Sequence, residues 1–137
     1  MERRMERSAN MDELKKIACV EDDESIRMII QLTLEDVSGF DVTLFSSGQE
    51  ALSGLEKVAP QLIVLDVMMP GMDGVETFKN LRELPSLSKV PVIFMTAKAQ
   101  PKEVEEYLTL GASGVIIKPF NPMTLSEKVS EIWRTAA

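Results

Sequence analysis

The chain has 137 residues, 45% of them hydrophobic and 27% charged, which is the composition of one ordinary globular domain. Its 15 lysine and arginine residues against 22 aspartate and glutamate residues give a net charge of −7, which disfavours direct binding to nucleic acid. With one cysteine and no histidine, the chain cannot form an internal disulfide, a histidine-based catalytic triad or a histidine metal site.

The chain begins with a charged segment, MERRMERSANMDELKK, which lacks the apolar stretch of a signal peptide. No apolar run approaches the roughly twenty residues of a membrane span. We therefore expect a flexible arm at residues 1–14, a single domain at residues 15–137 and no membrane insertion. A cytoplasmic location is favoured by the lone Cys19, which suits a reducing compartment.

Five short apolar runs predict β-strands, at residues 17–20, 42–45, 62–65, 92–95 and 115–117. The segments between them have helical spacing, and the first helix carries Ile26, Ile29, Ile30, Leu34 and Val37 on one face. Helix boundaries are indicated by Ser47, Asp73, Pro101, Gly111, and Asn121 followed by Pro122.

This alternation of strands and helices, repeated five times with short connections, predicts an α/β fold. The expected architecture is a three-layer, doubly wound (βα)5 domain, whose parallel sheet is covered by helices on both faces. In such sheets, ligands bind where the strands end at their carboxyl edge.

Charged and polar residues stand at those strand ends. Glu21 and Asp22 follow the first strand, Asp66 follows the third, Thr96 follows the fourth, and Lys118 follows the fifth. Clustered carboxylates repel one another and need a counter-charge. Oxygen ligands without histidine or cysteine indicate Mg²⁺, Mn²⁺ or Ca²⁺.

Asp66 is the residue on which these groups converge in the predicted fold. A phosphoryl group on Asp66 would have its charge met by a metal ion, the Lys118 ammonium and the Thr96 hydroxyl. We therefore predict that Asp66 accepts a phosphoryl group. Asp23, the third acid of the first cluster, is interpreted as a helix cap outside the metal site.

Four segments, VEDDESIR, LIVLDVMMPGMDG, VIFMTAKA and GASGVIIKPF, together resemble the receiver domain of two-component response regulators. The resemblance implies the flavodoxin-like strand order 2-1-3-4-5. It also implies Mg²⁺, with Mn²⁺ as a possible substitute, and a cis Lys118–Pro119 bond. The metal ligands that it implies are Glu21, Asp22, Asp66 and the backbone carbonyl of Met68. Asp66 would be the phosphoacceptor, and Thr96 and Lys118 would hold the phosphoryl oxygens.

Two positions depart from the family pattern. Members often carry an aromatic ring, which couples to the residue matching Thr96, where this chain has Val115. Members that drive transcription often have an acidic residue where this chain has Gly114. Output is nevertheless expected from the face formed by the fourth helix, the fifth strand and the fifth helix.

Our leading hypothesis is a stand-alone receiver, since no output domain follows within the 137 residues. It would take its phosphoryl group from a histidine kinase or histidine phosphotransfer protein and control an unidentified protein target. We interpret it as a signalling domain and not an enzyme, although it would take part in its own phosphotransfer and autodephosphorylation.

Two alternatives are open. In the first alternative, the chain is the regulatory fragment of a longer response regulator, which is a transcription factor or an enzyme. In the second it is a Mg²⁺-dependent phosphatase of the haloacid dehalogenase type. That class needs a second aspartate two residues after the nucleophile, where this chain has Met68.

Overall fold

The five apolar runs form five parallel strands in the order 2-1-3-4-5 in the computed structural model, which describes residues 13–136. The strands are Lys16–Val20 (β1), Asp41–Phe45 (β2), Leu62–Asp66 (β3), Val92–Thr96 (β4) and Gly114–Ile117 (β5). Every residue of β3 and β4 is buried, as expected for inner strands of a sheet that is covered on both faces. The predicted fold class and strand order are confirmed.

Five helices connect and cover the strands. They are Glu24–Ile30 (α1), Gly48–Val58 (α2), Gly74–Arg82 (α3), Pro101–Leu110 (α4) and Leu125–Thr135 (α5), with a 3₁₀ turn at Pro85–Leu87. Four predicted boundaries are confirmed. Ser47 and Asp73 accept the amide hydrogens of Glu50 and Glu76, Pro101 begins α4, and Gly111 ends α4 with a φ of 118°. Within residues 13–136, no helix has both the length and the apolar character that crossing a bilayer requires.

Two apolar cores lie on opposite faces of the sheet, because successive strand side chains point to opposite sides. The first joins the strands to α2, α3 and α4 through Ala51, Leu55, Phe78, Leu81 and Tyr107. The second joins them to α1 and α5 through Ile30, Leu34, Leu125 and Val129. Both cores leave only the strand ends available for polar chemistry.

The first helix differs from the plain amphipathic helix that its sequence predicts. After α1, the chain continues as a π-helical segment, Gln31–Val37, in which the Ser38 amide donates to the Thr33 carbonyl at 3.2 Å. The wider π turn changes which residues share a face. Leu34 remains buried, whereas Val37, predicted on the same face, is 76% exposed. Ile29, which precedes the π-helical segment, is also exposed, at 39%. The predicted burial of Val37 and Ile29 is therefore wrong.

The last helix begins later than predicted. Asn121 and Pro122 were expected to start it, but α5 begins at Leu125. The Asn121 side chain accepts the Met123 amide hydrogen at 2.9 Å, which closes a separate turn before the helix. Asparagine commonly forms such local turns, and here the turn competes with a helix start.

Gln61 joins three segments at the amino-terminal edge of the sheet. Its side-chain oxygen accepts the amide hydrogens of Lys15 and Lys16 at 2.7 and 2.8 Å. Its backbone carbonyl accepts the indole N–H of Trp133, on α5, at 3.2 Å. Residues 1–12 of the expected arm lie outside the described residues, and Leu14, next to this junction, is buried.

Gly74 opens α3 directly against the end of β3. A Cβ atom at this position would overlap the carbonyl oxygen of Asp66 and lie 2.7 Å from the Cα of Val67. Backbone atoms cannot rotate away as a side chain can. Any larger residue at position 74 would therefore push on the strand end that carries Asp66.

We expect Gly74→Ala to lower the free energy of unfolding by about 1–2 kcal/mol. The overlap is with backbone atoms, so the cost lies in the upper part of the range for overpacking, about 2–3 kcal/mol, against a gain of about 1 kcal/mol in helix propensity. Urea unfolding measures this change. The control is Gln49→Ala, an exposed change in the first turn of α2, which should stay within about 0.5 kcal/mol of the parent. Equal stability of parent and Gly74→Ala would contradict the packing argument.

Candidate functional site

Three polar side chains are buried where β1, β3 and β4 end. Glu21 and Asp66 are each only 2% exposed, and Thr96 is fully buried. Strand pairing fixes these positions, because Val20 lies opposite Leu65 in β3 and Asp66 lies opposite Met95 in β4. Two carboxylates so deeply buried require a partner of opposite charge.

Lys118 supplies that partner from the end of β5. Its ammonium nitrogen lies 2.8 Å from Glu21 Oε1 and 3.1 Å from Asp66 Oδ1. One cation therefore bridges the ends of β1 and β3, which are neighbouring strands. The Lys118–Pro119 peptide bond is cis, as the resemblance implies.

The burial of these groups shifts their protonation equilibria. Desolvation raises the pKa of Glu21 to about 7, against the opposing effect of Lys118, and it also raises the pKa of Asp66 above its usual range. Burial alone would lower the pKa of Lys118, but its bonds to the two carboxylates raise it. The lysine is therefore charged, and both carboxylates gain from any further positive charge.

Asp22 completes an acidic group with Glu21 and Asp66, and one oxygen from each lies within 4.8 Å of the other two. Glu21 Oε1 is buried and faces the Lys118 ammonium at 2.8 Å. One ammonium cannot neutralise three carboxylates, so the group has room for a further cation. Three carboxylates without thiol or imidazole suit a hard divalent cation, so these residues fit Mg²⁺ or Mn²⁺.

The loop after β1 is held by contacts within α1. Asp23 accepts the Ile26 amide hydrogen at 3.1 Å, which confirms its predicted role as a helix cap. The Asp23 amide donates to Glu21 Oε2 at 3.1 Å. The Arg27 guanidinium donates to the Glu21 carbonyl at 2.7 Å, and the sequence analysis missed this residue. The sequence feature that could have identified Arg27 is its position only three residues after the start of α1, where the helix dipole disfavours a cation.

Met68 follows Asp66 in the loop after β3. Its amide donates a long bond to Asp66 Oδ1 at 3.4 Å, and its side chain is largely exposed. The amide thus contacts the carboxylate that the sequence identifies as the phosphoacceptor. The role predicted for Met68 concerns its carbonyl oxygen, and that role stays a prediction.

Thr96 lies at the predicted edge, but its hydroxyl points to a different partner. The hydroxyl oxygen accepts the amide hydrogen of Lys98 at 2.9 Å, within the loop that leads to α4. The structure therefore brings Glu21, Asp22, Asp66 and Lys118 together and leaves Thr96 bound to its own loop. Lys98 was not singled out from the sequence, because the bond uses its backbone and not its side chain.

Comparison with known proteins identifies relatives of the whole described domain. Residues 17–130 match the sequence model of the family described as "Response regulator receiver domain". The chain is 42% identical over 120 residues to the alkaline phosphatase synthesis transcriptional regulatory protein PhoP of Bacillus subtilis, covering 88% of this chain and 49% of that protein. It is 36% identical over 123 residues to the phosphate regulon transcriptional regulatory protein PhoB of Rhizobium meliloti, covering 90% and 54% respectively.

The chain thus spans about half the length of these curated relatives. Another relative is similar in length to this chain: an uncharacterized 14.6 kDa protein of Leptolyngbya boryana, encoded in the sodA1 3′ region, is 38% identical and matches over 93% of both chains. Among solved structures, chemotaxis protein CheY4 of Vibrio cholerae superimposes with a TM-score of 0.81 at 33% identity, covering 88% of this chain and 99% of that one. A receiver domain of a signal transduction histidine kinase from Syntrophus aciditrophicus gives 0.76 at 31% identity, covering 88% and 91%.

The raised pKa of Glu21 makes stability depend on pH. The ordinary pKa of glutamate is about 4.5, and below that pH Glu21 is protonated in both the folded and the unfolded chain. Between about pH 4.5 and about pH 7, only the unfolded chain releases the proton. Rising pH in this window therefore favours the unfolded state, at up to about 1.4 kcal/mol per pH unit.

We expect the parent to lose stability relative to Glu21→Gln as pH rises through this window, in the absence of divalent cations. Urea unfolding of both proteins between about pH 4.5 and 7.5 measures the difference, and taking the difference cancels the titration of groups that do not interact with Glu21. A repeat with Mg²⁺ serves as the control, since a bound cation would keep Glu21 ionised and reduce the slope. Parallel stability profiles without Mg²⁺ would show that Glu21 has an ordinary pKa.

Proposed function

The chain belongs to the response regulator receiver domain family, and from that premise we propose that Asp66 accepts a phosphoryl group and thereby switches the binding of a partner protein. Receiver domains are signalling modules that histidine kinases phosphorylate. The observation that carries the assignment is the buried Asp66 carboxylate, held 3.1 Å from the Lys118 ammonium at the carboxyl edge of the sheet. A carboxylate in this position is fixed for attack and has a cation beside it.

The proposed transfer uses groups already in place. A carboxylate oxygen of Asp66 attacks the phosphorus of a phosphohistidine, the P–N bond breaks, and the imidazole nitrogen keeps the electron pair. Lys118 offsets the charge of the transferred group, which is the main contribution that proteins make to this reaction. The Thr96 hydroxyl would leave the Lys98 amide and donate to a phosphoryl oxygen. Later attack of water on the acyl phosphate, the proposed autodephosphorylation, would restore the Asp66 carboxylate.

The metal in this proposal is Mg²⁺, with Mn²⁺ as a substitute. Glu21, Asp22 and Asp66 would hold it together with the carbonyl of Met68, and the close grouping of the three carboxylates supports this assignment. When bound, such an ion supplies positive charge to the phosphoryl oxygens. The protein contributes the fixed carboxylates, and Arg27 and Asp23 contribute the contacts that orient Glu21.

The phosphoryl donor in this proposal is a histidine kinase or a histidine phosphotransfer protein. An apolar groove of about 280 Å³ lies beside Lys118, and its lining includes Ile26, Ile29, Phe120 and Pro122. Exposed apolar surface is a common feature of protein contact sites, so this groove is where we propose that the donor docks. The downstream target is a protein of unknown identity.

A second reading has its own support. The curated relatives are transcriptional regulators about twice as long as this chain, so the domain would serve as the regulatory half of a longer response regulator. The Leptolyngbya boryana relative, matched over 93% of its length, supports the stand-alone reading instead. Sequencing the native gene beyond the codon for Ala137 decides between them.

We expect the protein, given Mg²⁺ and acetyl phosphate, to gain one acid-labile phosphoryl group on Asp66. Asp66→Asn should lose this label. Asp73→Asn is the matched control, because asparagine caps α3 as well as aspartate does and the change removes the same charge. Intact-mass spectrometry with site mapping measures both. Labelling of Asp66→Asn at the parent level would refute the assignment.

We further expect Mg²⁺ to raise the melting temperature, because a ligand of the folded state stabilises it by mass action. Asp22→Asn should raise stability in the absence of metal by relieving repulsion, and it should reduce the response to Mg²⁺ at least about tenfold in apparent affinity. Asp23→Asn, which keeps the α1 cap and removes the same charge, should respond as the parent does. Thermal melts across a Mg²⁺ titration measure all three proteins, and identical responses of the two variants would place the metal elsewhere.

A further inference from the structure

One side chain fastens α4 to the core. Of the ten residues of this helix, only Tyr107 is buried. Its ring packs edge-on against Phe94 of β4, with ring centroids 5.4 Å apart and an interplanar angle of 87°. Phe78 of α3 also packs edge-on against Phe94, at 5.3 Å and 80°. Such aromatic pairs add stability and orientation to the burial itself, so the ring of Tyr107 has a defined seat.

The end of α4 that carries Tyr107 is also tied down by its backbone. Gly111 turns the chain in the left-handed region, and the Ala112 amide donates to the Tyr107 carbonyl at 3.2 Å. The next amide, that of Ser113, donates to the Val92 carbonyl at the start of β4 at 2.8 Å. The last turn of α4 is therefore held to β4 by both side-chain and backbone contacts.

The other end of α4 has a weaker attachment. Its first turn is closed on itself by Gln100 and Glu103, whose carboxylate accepts the Gln100 amide hydrogen at 3.1 Å. The loop at residues 97–100 is tied to the end of β4 by the bond from the Lys98 amide to the Thr96 hydroxyl. Loss of that bond would free the loop and the start of α4 while the far end remained attached.

Phe94 and Thr96 are two residues apart on β4, so they point to the same face of the sheet. The residue paired with Phe94 across β5 is Val115, whose branched side chain has few rotamers and carries no ring. Strand β5, with the sequence GVII, has no aromatic residue. The ring that joins α4 to this face of β4 is therefore that of Tyr107, which contacts Phe94.

We infer that Tyr107 is the pivot of α4: when the Thr96 hydroxyl turns to a phosphoryl group on Asp66, the loop and the first turns of α4 swing while the Tyr107 ring keeps its seat on Phe94. This inference rests on the proposed function, because the phosphoryl group starts the movement. Tyr107 acts here as a positioning residue that sets where the movement stops. The conformational change is thereby confined to the part of α4 that precedes it.

Amide hydrogen exchange of the full chain, with and without Mg²⁺ and beryllofluoride, tests the pivot. In the parent, exchange of residues 97–106 should change about tenfold or more, and that of residues 107–110 less than about twofold. Tyr107→Phe keeps the ring and should preserve this boundary. Tyr107→Leu removes the ring, so the change should extend through residue 110. Leu108→Ala, at the neighbouring exposed position, is the control and should behave as the parent does.

Two results would overturn the pivot. One is a change in residues 107–110 of the parent as large as that in residues 97–106, which decides the matter even where Tyr107→Leu does not fold. The other is a boundary in Tyr107→Leu that is unchanged from the parent. Failure of the proposed function gives a different result from these two. Acetyl phosphate would then leave Asp66 unlabelled, and beryllofluoride would change the exchange of no amide. The pivot would be overturned together with the proposed function.

Discussion

The Lys118 ammonium sits between two buried carboxylates, and the carboxyl edge of the sheet depends on this one charge. Glu21, Asp22 and Asp66 bring three negative charges when ionised, and Lys118 brings one positive charge, so the group carries 1 − 3 = −2. A divalent cation would balance that excess. The site would then be neutral before phosphorylation, and the energetic cost of adding a dianion to a buried edge would fall accordingly.

The fold turns this charge arrangement into a rigid one. β3 is buried along its whole length, so Asp66 stands at the end of a strand that cannot shift without disturbing both cores. Gly74 lets α3 begin directly behind it, and Arg27 ties the loop that carries Glu21. The groups expected to move are the Thr96 hydroxyl, which is itself buried, and the largely exposed loop at residues 97–100 beyond it. The proposed phosphoacceptor and the groups expected to move thus lie at the ends of adjacent strands, β3 and β4.

Much of this architecture could be predicted from the sequence, because strand and helix periods are written in the spacing of apolar residues. The strand order and the gathering of Glu21, Asp22, Asp66 and Lys118 follow from that spacing together with the family resemblance. The π-helical segment was missed, since hydrophobic spacing does not report which hydrogen-bond period a helix adopts. The hydrogen bond of the Thr96 hydroxyl was not predicted either, because its partner is the backbone amide of Lys98 and sequence patterns do not identify backbone partners. The late start of α5 has a similar cause. The Asn121 side chain accepts a local hydrogen bond that closes a turn, and this turn replaces the helix start that Pro122 predicts.

Trp133, which donates a hydrogen bond to Gln61, and Tyr107 are two spectroscopic probes at different places in the fold. Trp133 is the only tryptophan of the chain and is held at the amino-terminal edge of the sheet, opposite the acidic edge. Tyr107 is the only tyrosine, and it lies on the helix that follows the Thr96 loop. Tryptophan emission therefore reports on the face of the sheet that α5 covers, and tyrosine signals report on the face that α4 covers. The two faces of one sheet can be observed separately in the unlabelled protein.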